Sequence, residues 1–161
     1  MNRVLASAAA LLSLAACSPG EPAPGPGAPT VAVADALCRP TPKGRRVTGC
    51  YMTLTAGAAD RLVSVESPAA TLVQIHESRM ESNMMMMREL RDGLPLAAGE
   101  TAVLAPGGNH LMLLGVEEPL VAGDTVTLKL IFETAAPVEV TATVGQPSVS
   151  EYDQAAPDSG S

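Results

Sequence analysis

Histidine and methionine are concentrated in one window of the sequence, residues 75–113. The window holds both histidines of the protein and six of its eight methionines, four of them consecutive at 84–87. Imidazole and thioether donors together suit Cu(I), because a thioether is too soft and too weakly basic to hold Mg²⁺, Ca²⁺ or Mn²⁺. The residue types therefore indicate a site for a soft metal ion.

The spacing of these donors predicts how three short strands would present them. Side chains alternate between the two faces of a strand, so His110 and Met112 share one face, as do Met85 and Met87 on their own strand. His76 lies on the preceding strand. One His from the first strand, one Met from the second and His-x-Met from the third can converge on a single ion as an N2S2 set.

Ordinary structural roles explain these residues less well. Methionine often fills gaps in a core, and a single histidine on a strand is most often a surface residue. However, alternation turns half of the run 84–87 outward, so the run cannot all be core. A chain with one Phe and no Trp has little reason to place four consecutive Met beside its two His. The metal site is the better interpretation.

The pattern resembles that of the periplasmic copper chaperones known as PCu(A)C. His76 is followed by ten residues and Met87, then by twenty-two residues and His110-x-Met112. The similarity covers roughly residues 31–144. Carried over position by position, the resemblance implies that the copper ligands are His76, Met87, His110 and Met112.

The chain departs from the family pattern in two ways. The gap between Met87 and His110 is one residue longer than in the family, with the extra residue in the loop 91–99. The methionine run also makes Met85 an alternative to Met87. The family's Pro106-Gly107-Gly108 is present before the second histidine, where it predicts a tight turn at the start of a strand.

The amino-terminal segment has the features of a bacterial lipoprotein signal. Arg3 precedes the apolar run 4–16, which is too short to cross a bilayer. We expect 1–16 to be a signal peptide, Cys17 to be acylated, and the Pro- and Gly-rich stretch 17–30 to be a tether. The expected location is the periplasm, with attachment to a membrane by the lipid.

Residues 31–145 have the pattern of one all-β domain. Short apolar segments rich in Val, Leu and Thr alternate with Gly, Pro and Asp at intervals that suit a sandwich. The resemblance implies the same fold, a single Greek-key β-sandwich of immunoglobulin-like or cupredoxin-like form. The polar and acidic stretch 146–161 is expected to be a disordered tail. The predicted strands are 31–39, 47–56, 61–66, 71–79, 84–88, 101–104, 110–115, 125–133 and 138–144.

Two further cysteines, Cys38 and Cys50, bracket the connection between the first two predicted strands. They can face each other across a hairpin, and a disulfide is the default in an oxidising compartment. Thiolate ligands or a redox pair are less favoured, because both cysteines are remote in sequence from the His/Met window.

Composition disfavours several other functions. Ten Lys and Arg stand against seventeen Asp and Glu, for a formal charge of −7, and aromatic residues make up 2% of the chain. Nucleic-acid binding depends on phosphate neutralisation and base stacking, so it is not expected. A blue-copper centre would need a Cys beside the other ligands, and 109–114 contains none. No Ser-His-Asp set, carboxylate pair or phosphate loop indicates an enzyme.

The sequence therefore predicts a Cu(I) metallochaperone that acts as a monomer. By resemblance, its recipient would be the copper centre of a terminal oxidase, with a thiol-disulfide copper chaperone as a further partner. The alternative is a structural or interaction lipoprotein that sequesters copper incidentally. A copper-linked thiol oxidoreductase would require Cys38 and Cys50 to cycle between thiol and disulfide.

Overall fold

The protein is described here by a computed structural model that covers residues 29–147, all of it strands and their connections. The predicted signal peptide, Cys17 and most of the predicted tail lie outside the described residues. Within the described part we find no helix that is long and apolar enough to cross a membrane. The strands are β1 (Val31–Cys38), β2 (Val47–Ala56), β3 (Asp60–Glu66), β4 (Ala70–Glu81), β5 (Met84–Glu89), β6 (Leu94–Leu96), β7 (Thr101–Leu104), β8 (Asn109–Val116), β9 (Thr125–Phe132) and β10 (Val138–Val144).

The strands form one mixed hydrogen-bonded sheet in the order β5-β4-β8-β7-β2-β1-β10-β9-β3-β6, with a further pairing of β8 and β2. Neighbours are antiparallel except for β1 with β10 and β7 with β8. Buried side chains from both halves of this order form one hydrophobic cluster, and β3 also lies against β4. The sheet is therefore folded over itself into two layers, which confirms the predicted all-β sandwich.

The core is built largely by side chains that alternate along the strands. In β9, every second residue from Val126 to Phe132 is buried, and in β8 Leu111 and Leu113 are fully buried. Burying a leucine side chain contributes about 1.5–3 kcal/mol, so a shift of one residue would expose this whole set. The inward leucines of β8 consequently fix His110 and Met112 on the opposite face.

One strand, β6, was not predicted and lies within the stretch interpreted as a loop. It has three residues and contains Pro95, which weakens any strand signal. Proline is tolerated because β6 is at the edge of the sheet and pairs with β3 alone. Its burial pattern is regular, since Leu94 and Leu96 both enter the core.

The predicted disulfide is present between Cys38 and Cys50, which are opposite each other in the β1–β2 pair. Both residues are fully buried in the hydrophobic cluster. Cys50 is also opposite Leu111 of β8, so it faces the core and not the side of the sheet that carries His110. The disulfide is thus part of the core.

We predict that Cys38→Ala/Cys50→Ala lowers the free energy of unfolding by about 3 kcal/mol, because the bond restricts the unfolded chain. Urea denaturation followed by circular dichroism measures the change. Wild type unfolded in reductant keeps both side chains and measures the contribution of the bond alone. A loss below about 1 kcal/mol would show that the core alone maintains this pairing.

Asp60 attaches the start of β3 to the connection between β9 and β10. Its carboxylate accepts N–H hydrogen bonds from Arg61 at 2.7 Å, Thr134 at 3.0 Å and Ala135 at 2.8 Å. Burial raises the pKa of Asp60, but these hydrogen bonds to the charged form outweigh it and bring the pKa below its ordinary value of 3.8.

A carboxylate whose pKa is lowered by folding adds stability that is present above its unfolded pKa and lost as the pH falls through the folded pKa. We therefore expect Asp60→Asn to reduce stability at pH 7 and to flatten the loss of stability below about pH 4. Urea midpoints between pH 2 and pH 7 test this. Asp92→Asn, at an exposed turn, is the matched control. Equal acid sensitivity of Asp60→Asn and wild type would contradict the assignment.

Candidate metal centre

The β4–β5 hairpin has a register that its turn determines. Ser82 and Asn83 both have positive φ, 49° and 63°, as the two central residues of a type I′ turn require. This tight turn pairs Glu81 with Met84, and the pairing continues without a shift to His76 opposite Glu89. The face on which each methionine lies follows directly from that register.

The second histidine is brought to the first by the β4–β8 pair, in which His76 and His110 are directly opposite. Their ring centroids are 5.7 Å apart in an edge-to-face arrangement. The predicted turn at Pro106-Gly107-Gly108 is present and ends one residue before β8 begins. Gly107 has φ of 84°, a conformation that glycine adopts without strain.

The same face carries the predicted thioethers. Met112 is opposite Gln74, one same-face position from the histidine pair. Met87 is opposite Ser78, one position away in the other direction, whereas Met85 is opposite Met80 and one position farther out. Of the two alternatives, Met87 is therefore the nearer to the histidines.

Each imidazole is oriented by a hydrogen bond from one ring nitrogen. In His110 the Nδ1–H donates to the carbonyl of Gly108 at 3.0 Å, and that carbonyl also accepts the Ser78 N–H at 3.0 Å. In His76 the Nε2–H donates to Oε1 of Gln74 at 3.0 Å. The acceptors are oxygen atoms, so the lone pairs lie on His110 Nε2 and His76 Nδ1.

The Nδ1 atom of His76 is buried and has no hydrogen-bond partner among the described residues. A buried polar atom without a partner carries a free-energy penalty, so its presence needs an explanation. Burial lowers the pKa of His76, nearby His110 lowers it further, and Glu89 acts in the opposite direction. The ring is thus kept neutral at neutral pH, the form that binds a metal ion.

A groove of about 740 Å³ opens over this face. Its lining includes Met85, Met87, His110 and Met112, together with the stretch from Arg39 to Pro42. His110 is 5% exposed, while Met87 is 52% exposed. An ion held between these residues would contact buried nitrogen on one side and accessible sulfur on the other.

Tyr51 closes the inner part of the groove. Its ring centroid is 6.5 Å from that of His110. A Cβ atom added to Gly49 would lie 3.1 Å from the tyrosine Oη, so the missing side chain at Gly49 makes room for the ring. The position of the Tyr51 ring near His110 therefore depends on a glycine in β2.

The structure adds residues that sequence reasoning did not assign. Gln74 and the Gly108 carbonyl orient the two rings, and Glu89 lies opposite His76 on the site face. The signal for Glu89 was the Ser82-Asn83 turn, which determines the hairpin register. Glu77, next to His76 in sequence, pairs instead with Arg88 at 2.8 Å on the opposite face.

The donor types limit which ions suit this centre. Between residues 29 and 147 no group of three or more His, Cys, Asp and Glu side chains could hold a metal ion. The donors that this face brings together are two imidazoles and thioether sulfur. Such a set suits Cu(I) and excludes ions that need several oxygen ligands.

Comparison with known proteins supports the β-sandwich fold described above. Residues 31–144 match the family described as "Putative lipoprotein LpqE-like". A curated protein of Leifsonia xyli subsp. xyli, named "Putative lipoprotein Lxx21020", is 33% identical over 144 residues, which is 86% of this chain and 87% of the relative.

Solved structures with a similar fold are PCuAC domains and related proteins. The copper-bound PCuAC domain from PmoF2 is 25% identical with a TM-score of 0.60, over 73% of this chain and 93% of that one. The apo form of DR1885 from Deinococcus radiodurans is 29% identical with a TM-score of 0.57, over 89% and 97%. The CuI form of DR1885 is 30% identical with a TM-score of 0.54, over 72% and 75%.

The hydrogen bonds predict one tautomer for each histidine. Long-range ¹H–¹⁵N NMR of the metal-free protein should show protonated Nδ1 in His110 and protonated Nε2 in His76. Gln74→Leu removes the hydrogen-bond acceptor of His76, so His76 should then populate both tautomers. The tautomer of His110 should be unchanged, because the Gly108 carbonyl remains. Observation of the reverse tautomer in either wild-type ring would contradict the proposed donor atoms.

Proposed function

Since the chain belongs to the LpqE-like family and is of PCu(A)C type, we propose that it is a Cu(I)-binding metallochaperone of the bacterial cell envelope. The observation that carries the proposal is the buried, unpartnered Nδ1 of His76, which lies beside His110 on the face that bears the thioethers. A bound Cu(I) ion would use that lone pair and remove its penalty.

The ligands we propose are His76 through Nδ1, His110 through Nε2, and the sulfur atoms of Met112 and Met87. Met87 is preferred over Met85 because it is one same-face position closer to the histidines. The hydrogen bonds to Gln74 and Gly108 hold the rings in place before the ion arrives. Copper is cargo in this proposal, and the protein carries out no reaction on it.

The geometry supports carriage and release. Thioethers are weak ligands that do not form disulfides, so the site is not lost by the disulfide formation that would remove thiolate ligands in an oxidising compartment. Met87 lies on a half-exposed hairpin at the edge of the sheet. A recipient can therefore replace this ligand first, while buried His110 and half-buried His76 still hold the ion. The disulfide of Cys38 and Cys50 is in the core and plays no part in the exchange.

Location and recipient extend the proposal beyond the site. The relatives described as lipoproteins support a lipid anchor at Cys17 and an envelope location, which we take to be the periplasm. We propose that the monomeric carrier delivers Cu(I) to an acceptor such as the copper centre of a terminal oxidase, directly or with a thiol-disulfide copper chaperone. The solved copper-bound relatives support the choice of cargo.

The second candidate function is a structural or interaction lipoprotein that sequesters copper incidentally. The wide groove that lies over the site would also accommodate a protein segment. The two functions differ in what they require of the site: a carrier must bind one ion reversibly through the four donors, whereas an interaction module does not depend on them.

We predict that His110→Ala weakens Cu(I) binding by at least about 100-fold, a loss of about 2.7 kcal/mol. Met87→Leu should cause a smaller loss of about tenfold, because it removes one exposed thioether with little change in volume. Anaerobic competition with a chromophoric Cu(I) chelator measures both. Met84→Leu, on the opposite face of the same strand, is the matched control.

The stoichiometry should be one ion per chain in wild type. Circular dichroism and urea denaturation establish that each variant remains folded. Unchanged Cu(I) affinity in His76→Ala/His110→Ala would refute the carrier function and leave the interaction lipoprotein as the better interpretation. If the Cu(I) affinity falls in Met85→Leu and not in Met87→Leu, the fourth ligand is Met85.

A further inference from the structure

The end of the β4–β5 hairpin carries more thioethers than the proposed ligand set uses. Met80, Met84, Met85 and Met86 are all exposed, Met80 by 61% and Met85 by 55%. Every residue of β5 is exposed, so none of its side chains fills the core. A contiguous exposed apolar patch commonly marks a surface that binds a ligand or another protein.

The hairpin register divides these methionines into two groups. Met80 and Met85 are directly opposite each other on the site face, with Met87 at the adjacent same-face position. Opposite residues have Cβ atoms about 4.5–5.5 Å apart, and diagonal neighbours are about 7–8 Å apart. Both separations are within reach of flexible methionine side chains that share one ion. Met84 and Met86 lie on the other face.

That other face is occupied by charged pairs that stabilise the hairpin. Glu77 pairs with Arg88 across the strands at 2.8 Å, and Arg79 binds Glu81 and also lies 3.9 Å from Glu77. Each exposed pair contributes at most about 1 kcal/mol, but together they form a network on a segment without a core. The hairpin does not therefore need its site-face methionines for packing.

We propose that Met80, Met85 and Met87 form an outer Cu(I) site that passes the ion to and from the inner site. This inference rests on the proposed function, because the inner site is the one built on His76 and His110. The outer site would favour Cu(I) over Cu(II), as an all-thioether set has no hard donor. Met87 belongs to both sites and joins them.

The transfer is a ligand exchange in which copper remains Cu(I) throughout. The ion, held by three thioethers, loses its bonds to Met80 and Met85 and keeps the bond to Met87. It forms new bonds to His76 Nδ1, His110 Nε2 and Met112. No proton moves, because both accepting nitrogens already carry free lone pairs in the hydrogen-bonded rings. Release follows the same steps in reverse.

The test compares two double variants of the full chain under anaerobic conditions. Met80→Leu/Met85→Leu removes the two outer thioethers, and Met84→Leu/Met86→Leu removes as many from the opposite face of the same hairpin. Stopped-flow spectroscopy records the rate at which Cu(I) leaves a chromophoric chelator. The amount bound at the end is fitted separately from the rate.

We expect the transfer rate to fall about tenfold in Met80→Leu/Met85→Leu and to stay within about twofold of wild type in the control. Equal transfer rates in wild type and both double variants would overturn the outer site and leave the proposed function standing. A loss of the bound ion in Met80→Leu/Met85→Leu would also overturn it, because Met85 would then be an inner ligand. A wild type that takes up no Cu(I) would overturn the proposed function itself.

A second measurement observes the outer site without the inner one. In His76→Ala/His110→Ala, added Cu(I) should shift the ¹³C-labelled methyl signals of Met80, Met85 and Met87, and leave those of Met84 and Met86 in place. Absence of these shifts, or equal shifts on both faces of the hairpin, would rule out a site-face cluster.

Discussion

The pairing of β4 with β8 is the constraint on which the rest of the site depends. Its backbone hydrogen bonds place His76 opposite His110, and the burial of Leu111 and Leu113 fixes which face those histidines occupy. A shift of one residue would expose two leucines and separate the two imidazoles at once. The core and the site therefore enforce the same register, and the free energy that stabilises one also positions the other.

The face on which each donor lies was accessible from the sequence. The alternation in 110–113 and in 84–87 predicted which donors share a face, and the resemblance to a known family selected among them. Alternation could not show which strands pair, because a period of two residues tells which face of the sheet a side chain lies on and does not identify the neighbouring strand. The Ser82-Asn83 turn was the local exception, since a two-residue turn determines its hairpin register and hence the positions of Met87 and Glu89.

The orientation of the imidazoles lay beyond sequence reasoning. The Gly108 carbonyl that holds His110 is a backbone atom, and any residue at that position has one. Gln74 could be assigned to the site face, but its hydrogen bond to His76 depends on side-chain rotamers. The strand β6 was missed for a related reason. Its Leu-Pro-Leu sequence has little strand propensity, and burial against the core and pairing with β3 stabilise it.

A carrier has to bind its cargo firmly and still release it, and the distribution of rigidity in this fold addresses both demands. The histidines belong to strands whose inner faces are buried, so their positions are well determined. The methionines of β5 lie on an edge strand that is exposed along its whole length. Local opening requires least free energy where few apolar groups are buried, so the methionines of the hairpin can move while the two histidines and Met112 remain in place. In the carrier that we propose, the movements that accompany uptake and release would be confined to the hairpin, and the sandwich would not need to open.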